Sequence, residues 1–243
     1  MRIKAVTKYK GTSFYGWQKQ VNEISVQQVI EEALKKISGE DIIIYGAGRT
    51  DAGVHAYGQV FHFDITKDIE LDKFKYSLNC VLPHSISIVL MEKVDDNFHS
   101  RYDAKGKHYR YLISLNEKEP FKLETTYNCL FPTDITLFTK AIKLFEGKHN
   151  FKNFTSKEED NDNFVRDVYK IDVNVNGNDI IIDLYANGFM RYMIRYLIGA
   201  SLAIAWKKED ISYISNLLDS DSERTITSYK APPQGLYLME VLY

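Results

Sequence analysis

The stretch Gly46-Ala-Gly-Arg-Thr-Asp-Ala-Gly-Val-His-Ala56 is the most informative part of the chain, and it lies between two predicted strands at 42–45 and 59–63. Its three glycines permit tight turns and close approach of a partner to the backbone. The Gly-x-Gly pair lacks the third glycine of a dinucleotide fold and the lysine of a phosphate loop, so neither site is supported. The residues alone leave two interpretations open. Either Asp51 caps the next segment, Arg49 pairs with it and His55 packs, or the loop presents Asp51 to a substrate.

The composition is ordinary for a soluble globular protein, with 44% apolar and 26% charged residues among 243. The cysteines, Cys80 and Cys129, are far apart, which argues against a zinc site or a disulfide scaffold and fits a reducing cytoplasm. A net charge of −2 excludes a protein that coats nucleic acid indiscriminately. No apolar stretch follows the charged start and the longest apolar run is 196–206, so we expect neither a signal peptide nor a membrane span.

Hydrophobic periodicity predicts a mixture of strands and helices. Residues 2–9 alternate and form a strand with one cationic side. Ser25 and Gln28 predict a capping box for a helix that Gly39 ends, and Asn176-Gly177 predicts a hairpin. The other predicted elements are strands at 108–114, 165–175 and 179–185 and helices at 72–80, 134–146, 189–205 and 211–218.

These elements form two βα-rich halves of similar length that meet near residue 105. We therefore predict an α+β fold with domains 1–105 and 106–243, each an antiparallel or mixed sheet with helices, around a central cationic cleft. Acidic residues at 158–162 and 219–223 offset a basic stretch at 99–111, so the near-neutral total conceals a segregated pattern. Residues 157–162, with four acids and one lysine, are predicted as a solvated loop.

Six motifs follow one another along the chain. They are GTSFYGWQKQ at 11–20, GRTDAGVHA at 48–56, HAYGQV at 55–60, FHSRYDA at 98–104 followed by KHYRY at 107–111, FMRYMIR at 189–195 and APPQGLYL at 231–238. In this order they resemble the motifs of the TruA family of tRNA pseudouridine synthases. The resemblance covers most of the chain and favours the substrate-presenting interpretation of Asp51.

The resemblance implies isomerisation of uridine to pseudouridine, with the family's essential aspartate at Asp51, its arginine at Arg195 and its tyrosine at Tyr109. Asp51 would attack C1′ of the ribose or abstract the C2′ proton, and the sequence does not choose between these routes. Arg195 would hold Asp51 charged through a fork-shaped hydrogen bond. Tyr109 would stack on the flipped uracil, and its hydroxyl is a candidate for removing the C5 proton. The reaction involves no redox or group transfer, so no cofactor or metal is expected.

RNA contacts are expected from the basic stretch at 99–111, where cations alternate with tyrosines. The substrate-binding candidates are Arg49, Arg101, Lys107, Tyr109 and Arg110. The cations of the first strand and its end, Arg2, Lys4, Lys8 and Lys10, either join them or form a solvated face. The resemblance further implies modification of uridines 38 to 40 in the tRNA anticodon stem-loop, by a cytoplasmic homodimer.

The chain departs from the family pattern at Lys10, at Ser85 within Leu82-Pro-His-Ser-Ile86, at Tyr192 and at Trp206. These departures do not touch Asp51, Tyr109 or Arg195, but they weaken the assumption of the usual tRNA target. The alternatives are a paralogue acting on another RNA such as rRNA, or an RNA-binding module without chemistry. A nucleoside hydrolase or glycosidase is a further rival. A glycosidase would need a second acid as proton donor, and no paired carboxylate accompanies Asp51 locally.

Overall fold

The computed structural model describes residues 1–156, 163–219, 221 and 223–243. These residues divide into two compact units, of which unit 1 comprises 1–105 and 237–243 and unit 2 comprises 106–236. Each unit contains a sheet with helices, so the predicted α+β class is confirmed. The predicted solvated loop at 157–162 lies outside the described residues, as do positions 220 and 222 of the second acidic stretch.

Unit 1 is built on four main strands in the order β4–β1–β3–β10, with the short β2 beside β3. Its elements are β1 (Arg2–Tyr9), α1 (Val26–Ser38), β2 (Tyr45–Gly46), β3 (His55–Asp64), α2 (Leu71–Val81), β4 (Ile86–Val94) and β10 (Leu236–Leu242). β1 is antiparallel to both β3 and β4. β10 is parallel to β3, with Tyr237 opposite His55.

Helix α1 begins as predicted, because the Ser25 side chain accepts a hydrogen bond from the Gln28 amide. The Gln28 side chain donates to Glu32. The strand predicted at 42–45 is wrong, since only Tyr45 falls within a strand. The reason lies in α1: the Ile44 amide donates to the Glu31 carboxylate, and the Ile44 carbonyl accepts from the Gln27 amide group. Side chains of α1 thus satisfy the backbone amide and carbonyl of Ile44, which in a strand would bond to a neighbouring strand.

Unit 2 has an antiparallel sheet in the order β5–β9–β8–β7, with the short β6 parallel to β5. Its elements are β5 (Gly106–Ser114), β6 (Tyr127–Asn128), α3 (Ile135–Lys143), β7 (Gly147–Asn150), β8 (Val165–Asn176), β9 (Asp179–Ala186), α4 (Met193–Ala205) and α5 (Ser212–Leu218). The predicted hairpin forms between β8 and β9, with a φ of 60° at Gly177. α4 is almost wholly buried and packs on α3.

Two further differences from the sequence-based expectation concern boundaries. The helix predicted at 189–205 begins only at Met193, because Tyr192 takes a left-handed backbone with a φ of 61°. The second half was expected to run to residue 243, but residues 237–243 belong to unit 1, where β10 pairs with β3. None of the helices in the described ranges is long and apolar enough to cross a membrane.

Candidate active site

Asp51 stands on the loop that joins β2 to β3 in unit 1. The loop turns at this point, and the Val54 amide donates to the Asp51 carbonyl over 3.1 Å. The Asp51 side chain is half-buried, whereas Arg49 is exposed. One short loop therefore carries both a partly shielded carboxylate and a solvent-facing cation.

The segment 11–17 holds this loop through its backbone. The Trp17 amide donates to the Thr50 carbonyl over 3.1 Å, and the Gly53 amide donates to the Phe14 carbonyl over 3.3 Å. Gly16 has a φ of 88°, and a Cβ at this position would lie 2.5 Å from the Thr50 carbonyl oxygen. The glycine is needed both for its left-handed backbone and for this close approach. The motif at 11–20 therefore fixes the residues on both sides of Asp51.

Buried polar side chains support the loop from the sheet. The Tyr9 hydroxyl shares a hydrogen bond of 2.7 Å with the Thr50 hydroxyl, and Gln59 donates to the Gly48 carbonyl over 2.8 Å. Burial raises the pKa of Tyr9 well above its usual value, so Tyr9 stays neutral. Sequence reasoning missed these supports; the available signal was that Tyr9 ends a strand directly before the motif at 11–20.

His55 packs at the start of β3. Its Nδ1 accepts a hydrogen bond of 3.0 Å from the Gly11 amide, and its ring stacks on Tyr237 with centroids 4.7 Å apart. Because Nδ1 is an acceptor, the neutral ring carries its proton on Nε2. His55 thus connects the loop to β10 and to the segment 11–17. These contacts agree with the interpretation of the sequence in which His55 packs against its neighbours.

Arg101 is exposed on the turn at 99–103, where the Asp103 amide donates to the His99 carbonyl. Its guanidinium carbon lies 5.8 Å from the ring centroid of Tyr102, which is itself 75% exposed. Cations on the first strand are arranged differently. Arg2 forms an ion pair with Asp64 and Lys4 with Glu92, at 2.8 and 2.9 Å. These two cations are therefore partly balanced within unit 1.

Tyr109 lies on β5 in unit 2, opposite Leu184 of β9. Its side chain is buried, and its ring meets Phe189 edge to face with centroids 5.3 Å apart. Lys107 shares the Tyr109 face of the strand, because side chains two residues apart project to the same side. The structure thus puts an aromatic ring and a partly exposed cation on one strand face.

Arg110 projects to the opposite face of β5 and binds Asp183 with two hydrogen bonds, of 2.9 and 3.1 Å. His108 contacts the same carboxylate over 2.6 Å. Burial raises the pKa of Asp183, but the hydrogen bonds from Arg110 and His108 outweigh it and hold the pKa below its usual value. The charge of Arg110 is therefore balanced by a carboxylate of its own unit, and Arg110 does not share a strand face with Tyr109.

Arg195 is the third residue of α4. Its Nε donates to the Ala231 carbonyl over 2.8 Å, and the Ala231 amide donates to the Arg195 carbonyl over 2.9 Å. Helix and segment approach closely at Gly199, where a Cβ would lie 2.5 Å from the Tyr229 carbonyl oxygen. The motifs at 189–195 and 231–238 therefore fold onto one another and orient the guanidinium.

The predicted site residues thus fall in both units. Arg49, Asp51 and Arg101 lie in unit 1, and Lys107, Tyr109, Arg110 and Arg195 lie in unit 2. A family model described as tRNA pseudouridine synthase matches residues 5–103 and 141–243. The chain belongs to this family. The matched ranges include Asp51 and Arg195, whereas β5 with Tyr109 lies between them.

Relatives named tRNA pseudouridine synthase A align along the whole chain. The protein from Thermoanaerobacter sp. (strain X514) is 38% identical over 99% of each chain. That from Geobacillus sp. (strain WCH70) is 38% identical over 100% of this chain and 98% of its own. That from Streptococcus agalactiae serotype Ia is 39% identical over 100% of this chain and 95% of its own. These alignments also span the interval that contains Tyr109.

Proposed function

We propose that the protein isomerises uridine to pseudouridine in tRNA, with Asp51 as the essential carboxylate. The observation that carries the proposal is the half-buried Asp51 on a loop whose backbone is bonded to the segment 11–17 at both Thr50 and Gly53. A carboxylate held in this way meets a substrate atom at a defined distance, which a reaction at the sugar requires. Membership of the tRNA pseudouridine synthase family supports the same activity.

The reaction rearranges one nucleotide. The N1–C1′ bond breaks, the uracil rotates, and a C5–C1′ bond forms; the C5 proton then leaves and N1 takes up a proton. Asp51 acts by attack on C1′ or by abstraction of the C2′ proton. Both routes need an ionised carboxylate, and the bond changes balance without a redox or group-transfer cofactor.

Arg195 and Tyr109 are the proposed partners of Asp51 in this chemistry. Closing a substrate over a carboxylate raises its pKa, and a guanidinium that binds it offsets this effect. The hydrogen bond from Arg195 Nε to Ala231 supports this role by fixing the plane of the guanidinium. Tyr109, held edge to face by Phe189, is proposed to stack on the flipped uracil. Its hydroxyl is the candidate base for the C5 proton.

The RNA backbone is proposed to contact Arg49, Arg101, Lys107 and Arg110. Arg49 and Arg101 are exposed, which supports this role, whereas Arg110 would have to share its guanidinium with Asp183. On the motif resemblance we further propose uridines 38 to 40 of the anticodon stem-loop as targets and a cytoplasmic homodimer as the working form.

The experiment uses tRNA transcripts that carry tritium at uracil C5. The wild-type protein should release tritium to water without releasing uracil, and Asp51→Asn should abolish release while RNA affinity stays within a few-fold. Mass spectrometry of tRNA from a deletion strain then maps the modified positions. Wild-type turnover by Asp51→Asn would refute the assignment of Asp51, and no release from any cellular RNA by the wild type would refute the enzyme.

A further inference from the structure

Three cations surround the ring of Tyr192 in unit 2. The Lys230 ammonium lies 4.6 Å from the ring centroid, and the guanidinium carbons of Arg191 and Arg195 lie 4.9 and 5.2 Å from it. Arg191 also donates a hydrogen bond of 3.1 Å to the Tyr192 hydroxyl. Attraction to the ring draws each cation to the same place, so the cluster concentrates positive charge beside Arg195.

The residue at the centre of this cluster, Tyr192, has a strained backbone. Tyr192 has a φ of 61° and a ψ of 0°, a left-handed conformation that side chains other than glycine adopt at a cost. Such strain gathers at functional sites, where the surrounding structure maintains it. The left-handed Tyr192 is the residue that directly precedes α4. The N-terminal end of this helix adds to the positive potential of the cluster.

Like charges gathered around one ring repel one another, and an anion near them offsets the repulsion. Arg191 and Lys230 are exposed, so an anion from solution can reach both. Arg191 offers a planar fork of donors that suits phosphate oxygens, whereas Lys230 offers a compact charge on a flexible stem. Both cations lie within 5 Å of the centroid of the half-buried Tyr192 ring.

We infer that Arg191, Tyr192 and Lys230 form a subsite for a phosphodiester of the RNA next to the target nucleotide. This inference rests on the proposed function, in which Arg195 serves the target nucleotide. The subsite contributes to RNA binding and to the choice of substrate, and it takes no part in the bond changes. Removing its charges therefore weakens the binding of tRNA and leaves the chemical step intact.

The test compares the double variant Arg191→Gln/Lys230→Gln with a matched control, Lys208→Gln. The Lys208 ammonium also lies over aromatic rings of unit 2, 5.1 Å from both Phe131 and Trp206, and is exposed. With a tRNA transcript as probe, the double variant should raise KM about 10-fold and leave kcat within about two-fold. The slope of log affinity against log salt should fall in magnitude by about 0.7 to 0.9, since the subsite contacts one phosphate and each phosphate contact contributes about that much. The control should match the wild type.

A second variant, Arg191→Lys/Lys230→Arg, keeps both charges and should keep the wild-type salt slope. If the double-glutamine variant has the same KM and the same salt dependence of affinity as Lys208→Gln, the proposed subsite is refuted. A loss in kcat at unchanged KM overturns it too, because the cluster would then act by positioning Arg195. If the charge-keeping variant loses as much affinity as the glutamine variant, charge is not the cause and the inference fails. A wild-type protein that makes no pseudouridine refutes the proposed function instead.

Discussion

Replacing Gly16 by alanine should displace the loop that carries Asp51. The new Cβ would lie 2.5 Å from the Thr50 carbonyl oxygen and 3.2 Å from the Asp51 carbonyl carbon, whereas ordinary contact begins at 3.4 Å. The Thr50 carbonyl must therefore move by roughly 0.9 Å, and it also accepts the Trp17 hydrogen bond. A misplacement of about 1 Å near reacting atoms costs on the order of 100-fold in rate. The left-handed φ of 88° adds about 1–2 kcal/mol of strain.

The expected result for Gly16→Ala is a fall in kcat of about 100-fold, with about 2 kcal/mol less free energy of unfolding. The rate is measured by tritium release from C5-labelled tRNA at saturating concentration, and the stability by urea unfolding. Gly177→Ala is the matched control, because Gly177 has a φ of 60° but no atom lies within 4 Å of its new Cβ. That variant should lose about 1 kcal/mol of stability and keep kcat within two-fold.

Two outcomes would refute this reasoning. If the Gly16→Ala variant folds and has the kcat of the wild type, the contact between residue 16 and Thr50 does not position Asp51. Equal losses of kcat in Gly16→Ala and Gly177→Ala would show that the rate follows overall stability and not the loop.

Three further predictions concern buried polar groups. Tyr9→Phe removes the hydrogen bond to Thr50 and should cost about 1 kcal/mol in urea unfolding together with a several-fold lower kcat; an unchanged kcat would limit Tyr9 to a structural role. Asp183→Asn weakens the bonds from Arg110 and should cost about 2 kcal/mol at pH 7. Because the pKa of Asp183 is lowered in the folded state, its contribution should be lost as pH falls below about 3.8, and the variant should lack this loss. Burial lowers the pKa of His62 from 6.5 to about 4, so the unfolded chain binds more protons in that range. The free energy of unfolding should therefore decrease from pH 6.5 to 4, and His62→Gln should flatten this decrease.

Local signals predicted the elements whose hydrogen bonds are local. The Ser25 cap and the Asn176-Gly177 turn act within a few residues, and both α1 and the β8–β9 hairpin form where the pattern indicated. The strand expected at 42–45 failed because Ile44 bonds to side chains of α1, which periodicity does not report. The early start assigned to α4 failed because the left-handed backbone of Tyr192 is invisible in an apolar pattern.

The same distinction applies to the candidate site. The sequence points to Asp51 and Arg195 as candidates because each lies in a contiguous motif, which can be recognised without knowledge of the fold. The support of Thr50 by Tyr9 joins residues 41 positions apart. The pairing of Arg110 with Asp183 depends on the register of two strands, which a single sequence does not specify.

The pairing of β10 with β3 in unit 1 has a consequence for the order in which the two units can fold during translation. Tyr237 pairs with His55, about 180 residues earlier, so unit 1 lacks a strand until all of unit 2 has been translated. Unit 2 is contiguous and can finish folding first. A premature stop just before residue 237 would thus spare the whole of unit 2 and damage the unit that holds Asp51. Residues 237–243 therefore contribute to the unit that holds Asp51, although they are translated after the whole of unit 2.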